Sequence, residues 1–95
     1  MTIENVVADV LAERKRQMDV EGWSTAHDDE HDGGEIAMAA VVYAIPDVSP
    51  LYDQREQLWP WAQRWFKPKD RRRDLVRAAA LLVAEIERID REHRT

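Results

Sequence analysis

"EIAMAAVVYAI", residues 35–45, is apolar on nearly every side and ends against Pro46. Whether this run is strand or helix decides the fold. Val41, Val42 and Tyr43 favour extended chain, whereas Ala37, Met38, Ala39 and Ala40 favour helix. No neighbouring segment carries the alternating pattern that a partner strand would need. The run therefore predicts a helix, closed by Pro46. A helix apolar all round must be covered on all sides, and in so short a chain a second subunit is the natural cover. A homo-oligomer, dimer or higher, packed through Ile36 to Tyr43 and the alanine-rich part of the last helix, is the expectation.

Working outward, Pro46 to Pro50 reads as an irregular connector, and residues 51–68 as a loop with one short helical turn around Asp53 to Leu58, broken by Pro60 and closed by Pro68. Asp70 can cap a last helix whose apolar stripe is Leu75, Ala79, Leu82, Ile86 and Ile89, flanked by Val76 and Val83. Its alanines, Ala78 to Ala80 and Ala84, allow close approach of another helix. Glu85–Arg88 and Glu87–Arg91 stand at ion-pair spacing. In the other direction, Ile3, Val6, Val7, Val10, Leu11 and Met18 recur at helical spacing, with Thr2 as N-cap and Gly22 as stop. Residues 22–34 then form a loop ending in Gly33-Gly34. The resulting fold class is all-α: one helical domain over residues 1–95, with three main helices and two long loops.

Composition bounds the function. Ninety-five residues make one domain, and without cysteine neither disulfides nor thiolate metal sites are available. No apolar run approaches the roughly 20 residues that span a bilayer, so no membrane association and a cytoplasmic location are expected. The net charge of −5 argues against coating a long nucleic acid. That average hides two loops of opposite sign. "EGWSTAHDDEHDGGE" (21–35) is acidic with two histidines; "LWPWAQRWFKPKDRRRD" (58–74) is basic with three tryptophans.

The acidic loop invites metal readings. Asp28, Glu30 and Asp32 before Gly33 imitate the start of a calcium loop, but its twelfth position, which needs a bidentate Glu, is Ala39. His27 and His31 are four apart as in zinc proteases, but Asp28 stands where the catalytic Glu belongs and Gly33-Gly34 follows at once. A magnesium site on Asp28, Asp29 and Glu35 suits hard-cation chemistry better; a solvated acidic loop, with Asp32 or a neighbour capping the next helix, is the plainest reading. In the basic loop, Trp59, Trp61 and Trp65 cannot share one helical face across Pro60. They plug the bundle, or they offer stacking surface beside arginine and lysine for a base and its phosphates, with the N–H groups opening the last helix adding to an anion site. The candidate ligand-binding residues are Arg16, Trp23, His27, Asp28, Trp59, Trp61, Lys69, Arg72 and Arg73.

The order "ERKRQ…EGW…HDDEHDGGEIAMAAVVYA…WPW…WFKP…RRRDLVRAAALLVAEIERIDR", from about Glu13 to Arg91, resembles a group of small bacteriophage and prophage proteins. More distantly, it is similar to the MazG-like all-α nucleoside triphosphate pyrophosphohydrolases. The distant resemblance implies an oligomeric helical bundle, and an enzyme that holds Mg2+ through acidic motifs on two helices. Where that family has Glu-Glu-x-x-Glu, this chain has Glu35 with Ala39; where it has Glu-x-x-Asp, Asp74 is followed three residues on by Arg77. A cation there repels a metal ion. Capture of a nucleotide, such as a signalling nucleotide of antiviral defence, without a cofactor is thus the first expectation. The enzyme, with Mg2+ on Asp28, Asp29, Glu35 and Asp74, is the alternative, and docking on a host protein is a further one.

Overall fold

The computed structural model describes residues 2–93, and every regular element among them is helical: α1 (Ile3–Asp19), α2 (Thr25–Asp29), α3 (Glu35–Ala44), α4 (Arg55–Leu58) and α5 (Arg71–His93), with 3-10 turns at Tyr52–Gln54 and Gln63–Trp65. The three main helices stand where the apolar periodicity puts them. The Thr2 hydroxyl caps α1 by accepting from the Asn5 N–H at 3.2 Å, and Asp70 caps α5 by accepting from the Arg73 N–H at 2.9 Å. Gly22, at φ 76°, adopts the left-handed conformation that reverses the chain after α1. The Trp23 N–H then donates to the Gln17 carbonyl at 3.0 Å. The loop expected over 22–34 contains one extra helical turn, α2, capped by the Ser24 hydroxyl. Asp32 caps nothing: α3 starts at Gly34 without a side-chain cap.

The core is built on α3. Ile36, Ala39, Ala40, Val42 and Tyr43 are buried, and they pack with Ala78, Leu81 and Ala84 of α5, closed at one end by Trp23 and Trp59. Alanines on both helices let the two backbones approach closely, making this the most extensive contact in the chain. The cover that residues 36–43 require is thus found within one chain, and only Met38 and Val41 of that run stay largely open. Most of the face expected to join two copies, Ile36 to Tyr43 with the alanines of α5, is therefore taken up inside one chain.

The stripes on the long helices reverse the expected arrangement. Leu75, Leu82, Ile86 and Ile89 are exposed on α5, and Ile3, Val6, Val7 and Leu11 on α1. What α1 buries instead is Glu13, Arg14 and Gln17, and α5 buries Asp74, Arg77 and Arg88 beside its small apolar residues. Some of these groups are paired within a helix and some between helices, while the Arg77 Nε and Nη1 atoms are buried with no hydrogen-bond partner among the described residues. Glu13 accepts from Arg16 at 2.9 Å, from Arg73, and from Gln17 at 3.3 Å. Arg14 donates to Asp28 at 2.9 Å and to Glu87 at 3.0 Å. Glu87 is thereby diverted from the expected pair with Arg91, which reaches Asp29 instead at 2.8 Å; Glu85 and Arg88 do pair, at 2.6 Å.

Neighbouring leucines separate core from surface. Leu81 is 1% exposed and Leu82 46%. Leu81→Ala should cost about 2–5 kcal/mol in chemical denaturation, and Leu82→Ala in a dilute monomeric sample no more than about 0.5 kcal/mol.

The ionic contact also sets an acid limit. Burial pushes the Glu13 carboxyl up, but Arg16, Arg73 and Arg77 outweigh burial and hold its pKa below the ordinary value. A lowered folded pKa contributes stability that is fully present above the unfolded value, about 4.3, and lost as pH falls through the folded one. Denaturation midpoints should therefore drop in acid below about pH 4.3. In Glu13→Gln, part of that drop should disappear, from a lower plateau at neutral pH.

Candidate functional site

The two oppositely charged loops meet in one chain. They enclose a cleft of about 440 Å³ lined chiefly by Glu21, Trp23, His27, His31, Trp61 and Trp65. Gly22 turns Trp23 inward from the end of α1, α2 carries His27, and the turn after α2 carries His31. Pro60 breaks the helix before Trp61, so that Trp59 points into the core while Trp61 packs against the histidines. The ring centroids of Trp61 lie 5.5 Å from Trp23, 6.2 Å from His27 and 5.2 Å from His31. Trp23 and His27 are nearly parallel, 5° apart at 6.2 Å.

Charge stands at the rim. Glu21 joins the loops by accepting from Lys67 at 3.0 Å and from Arg16 at 3.1 Å. Burial pushes the Glu21 carboxyl up, and Lys67 and Arg16 reverse this to a pKa below the ordinary value. Lys67 also lies 5.7 Å over the Trp65 ring, and the Arg64 guanidinium 5.3 Å from it. Half of the Lys67 side chain is open to solvent. The Trp61 indole N–H is buried with no hydrogen-bond partner among the described residues.

A row of polar contacts runs behind the aromatic rings. The His27 and His31 Nε2 atoms face each other at 3.3 Å. His27 Nδ1 meets Asp28 Oδ1 at 3.3 Å, and His31 Nδ1 meets Glu35 Oε2 at 3.1 Å. The other Asp28 oxygen is held by Arg14. The Glu35 pKa is lowered, first by its own backbone N–H and then by His31.

The expected site residues divide. Trp23, His27 and Trp61 come together at the cleft, and Arg16 reaches its edge through Glu21. Asp28 is 3% exposed, behind His27 rather than in the cleft. Trp59 is a core plug: it is 5% exposed, its indole N–H donates to the Ala62 carbonyl, and its ring packs on Tyr43 and Phe66. Arg72 pairs with Asp9 and Arg73 with Glu13, on the α1 side of α5. The N-terminus of α5 is occupied by its own acids, Asp70 and Asp74, the latter accepting from the Lys69 N–H at 2.7 Å. The four acids of the magnesium reading separate: Asp28 goes to Arg14, Asp29 to Arg91, Glu35 to His31, and Asp74 to the turn before α5. No group of three or more metal-ligating side chains forms among the described residues.

The site also takes in His31, Trp65, Arg64, Lys67 and Glu21, which are not among the expected ligand-binding residues. His31 has a signal, its spacing of four from His27. Trp65, Arg64 and Lys67 depend on the path between Pro60 and Pro68, which no periodicity reports, and Glu21 enters through its contact with Lys67. Among the described residues no helix is long and apolar enough to cross a membrane. Comparison of the chain with protein-family models, with curated proteins and with solved structures yields no match.

If Glu21 and Lys67 tie the loops together, Glu21→Gln should loosen the cleft more than the core. The emission of the cleft tryptophans should shift to the red, with the denaturation midpoint changed by no more than the equivalent of about 1 kcal/mol.

Proposed function

We propose that the protein captures a small anionic ligand with a planar ring, of the nucleotide class, and does not hydrolyse it. The observation that carries this reading is the aromatic cleft itself: Trp23, Trp61 and Trp65 with two histidines around about 440 Å³, a volume in the range of small-molecule sites. Indole faces stack on any base. Lys67 and Arg64 at the rim supply positive charge for a phosphate, the role expected of Arg72 and Arg73 from sequence. Separation of Asp28, Asp29, Glu35 and Asp74 onto different partners favours capture over a magnesium-dependent pyrophosphohydrolase. The resemblance to phage proteins suggests a signalling nucleotide of antiviral defence as cargo, in a bacterial host cytoplasm.

The partner we propose beyond that ligand is a second copy of this chain. Leu75, Ala79, Leu82, Ile86 and Ile89 follow the alternating four-three spacing of a helix–helix seam, and the larger four are exposed, as are Ile3, Val6, Val7 and Leu11 of α1. Contiguous apolar helix faces of this kind mark association surfaces. Light scattering should give a dimer or higher assembly at micromolar concentration, and Leu82→Glu with Ile86→Glu should convert it to a folded monomer. A wild-type chain that is monomeric under those conditions excludes the assembly.

Ligand capture is tested by calorimetric titration of purine and pyrimidine nucleotides into chelator-treated protein. At least one should bind, equally well with and without millimolar magnesium, and be recovered intact. Trp61→Ala should weaken that binding by about 1–3 kcal/mol. Lys67→Gln with Arg64→Gln should weaken it and flatten its salt dependence, while Arg72→Gln leaves it unchanged. Release of pyrophosphate at an ordinary enzymatic rate would instead establish the enzyme.

A further inference from the structure

We propose that His27 and His31 are the protein half of an open site for a divalent transition-metal ion of the zinc class, set in the wall of the aromatic cleft. The metal site shares the cleft with the captured ligand but does not depend on what that ligand is.

The partners of each ring nitrogen decide the chemistry of the pair. A carboxylate only accepts hydrogen bonds. Asp28 faces Nδ1 of His27 and Glu35 faces Nδ1 of His31, so Nδ1 is the side of each ring that meets a carboxylate and Nε2 is the side left to bind a cation. Those two Nε2 atoms are the pair that face each other at 3.3 Å. Two ring nitrogens at that distance can share one cation. It is a proton held by the pair or a metal ion bound by both.

Distance and surroundings favour the metal. With zinc–nitrogen bonds of about 2.0–2.1 Å, two ligands at a tetrahedral angle are roughly 3.3–3.4 Å apart, which matches the observed separation. Imidazole suits zinc, copper, nickel and cobalt, whereas magnesium prefers oxygen. Carboxylates on both Nδ1 atoms reproduce the outer shell that fixes the tautomer and raises the basicity of metal-bound histidine. That outer shell is itself secured. Arg14 holds the far oxygen of Asp28 at 2.9 Å. On the other side, Gly33 makes room for Glu35: a Cβ there would lie 2.5 Å from Glu35 Oε1. No third imidazole or carboxylate joins the pair among the described residues. The remaining coordination positions belong to water or to a donor atom of whatever occupies the cleft.

The test uses the full-length chain, free of nucleotide and stripped of metal, titrated with Co2+ and with Zn2+. One equivalent of Co2+ should bind saturably with the visible bands of a low-coordinate nitrogen site, and quench tryptophan emission, because Trp23 and Trp61 lie 5.2–6.2 Å from the histidine rings. Zn2+ should displace it. His27→Gln and His31→Gln should each weaken Co2+ binding by at least about tenfold, and Glu35→Gln and Gly33→Ala by about tenfold through the outer shell alone. His93→Gln, at the end of α5, should leave it unchanged. Circular dichroism checks that each variant folds. Should the histidine variants unfold, long-range 1H–15N spectra of the wild-type chain decide: Zn2+ must shift Nε2 of His27 and His31 and leave both Nδ1 protons in place. Absence of saturable Co2+ binding, binding that survives in the doubly substituted chain, or a histidine pair that keeps one shared proton unaltered by Zn2+ would each overturn the proposal. Because the metal titration contains no nucleotide and the nucleotide titration contains no transition metal, either reading can fail alone.

Discussion

Glu13 is enclosed by protein, and its charge organises the surrounding structure. Its carboxylate takes Arg16 from its own helix, Arg73 from α5, and the Gln17 amide one turn on. A carboxylate without such partners is not buried, so α1 can dock on α5 only where Arg73 and Arg77 come to meet it. That single requirement fixes which turns of α1 face inward. It also leaves Arg16 at the edge, free to reach Glu21 and through it Lys67, so the ionic contact between the long helices continues to the rim of the cleft. Replacing one member leaves an unmatched buried charge, and the loss is felt in the fold before it is felt in any site.

Much of the fold was legible, for reasons that can be named. The helical reading of residues 35–45 holds because alanine and methionine outweigh a short β-branched run, and the caps at Thr2 and Asp70 stand where short polar side chains can accept from free N–H groups. What could not be read was which side of the long helices is inside. Leu75, Leu82, Ile86 and Ile89 make an orderly apolar face, and a period identifies a face without saying what covers it. The interior of α5 is instead alanine with Leu81, because α3 approaches too closely for larger side chains, and the polar contacts between the long helices join residues distant in sequence. Arg14 with Glu87, 73 positions apart, leaves no local signal.

The site divides in the same way. His27 and His31 are visible as a pair four apart, a spacing that ordinarily needs a regular helix to bring two side chains together. One turn of helix and one tight turn are enough here, since the His31 N–H donates to the Asp28 carbonyl and continues the local geometry at 3.0 Å. The tryptophans look equivalent in sequence because they share a basic setting. Pro60 separates their fates, sending Trp59 to the core and Trp61 to the cleft. Burial of the Trp61 indole N–H without a hydrogen-bond partner among the described residues is a cost on the order of 1–3 kcal/mol.

Surface loops ordinarily tolerate a gained or lost residue, because nothing downstream depends on their register. The stretch from Ser24 to Glu35 is different. His27, His31 and Glu35 succeed one another at intervals of four and make one connected row, while Asp28 and Asp29 turn to Arg14 and Arg91 of the two long helices. One residue added between 27 and 31 would rotate His31 and Glu35 by about 100° about a helical axis, parting the imidazoles from each other or the carboxylates from their arginines. A segment that resembles a connector by composition is therefore constrained in length like the interior of a helix. Variation among such chains should appear there as exchanges of side chain, with insertions and deletions displaced to the stretch between Pro46 and Leu51.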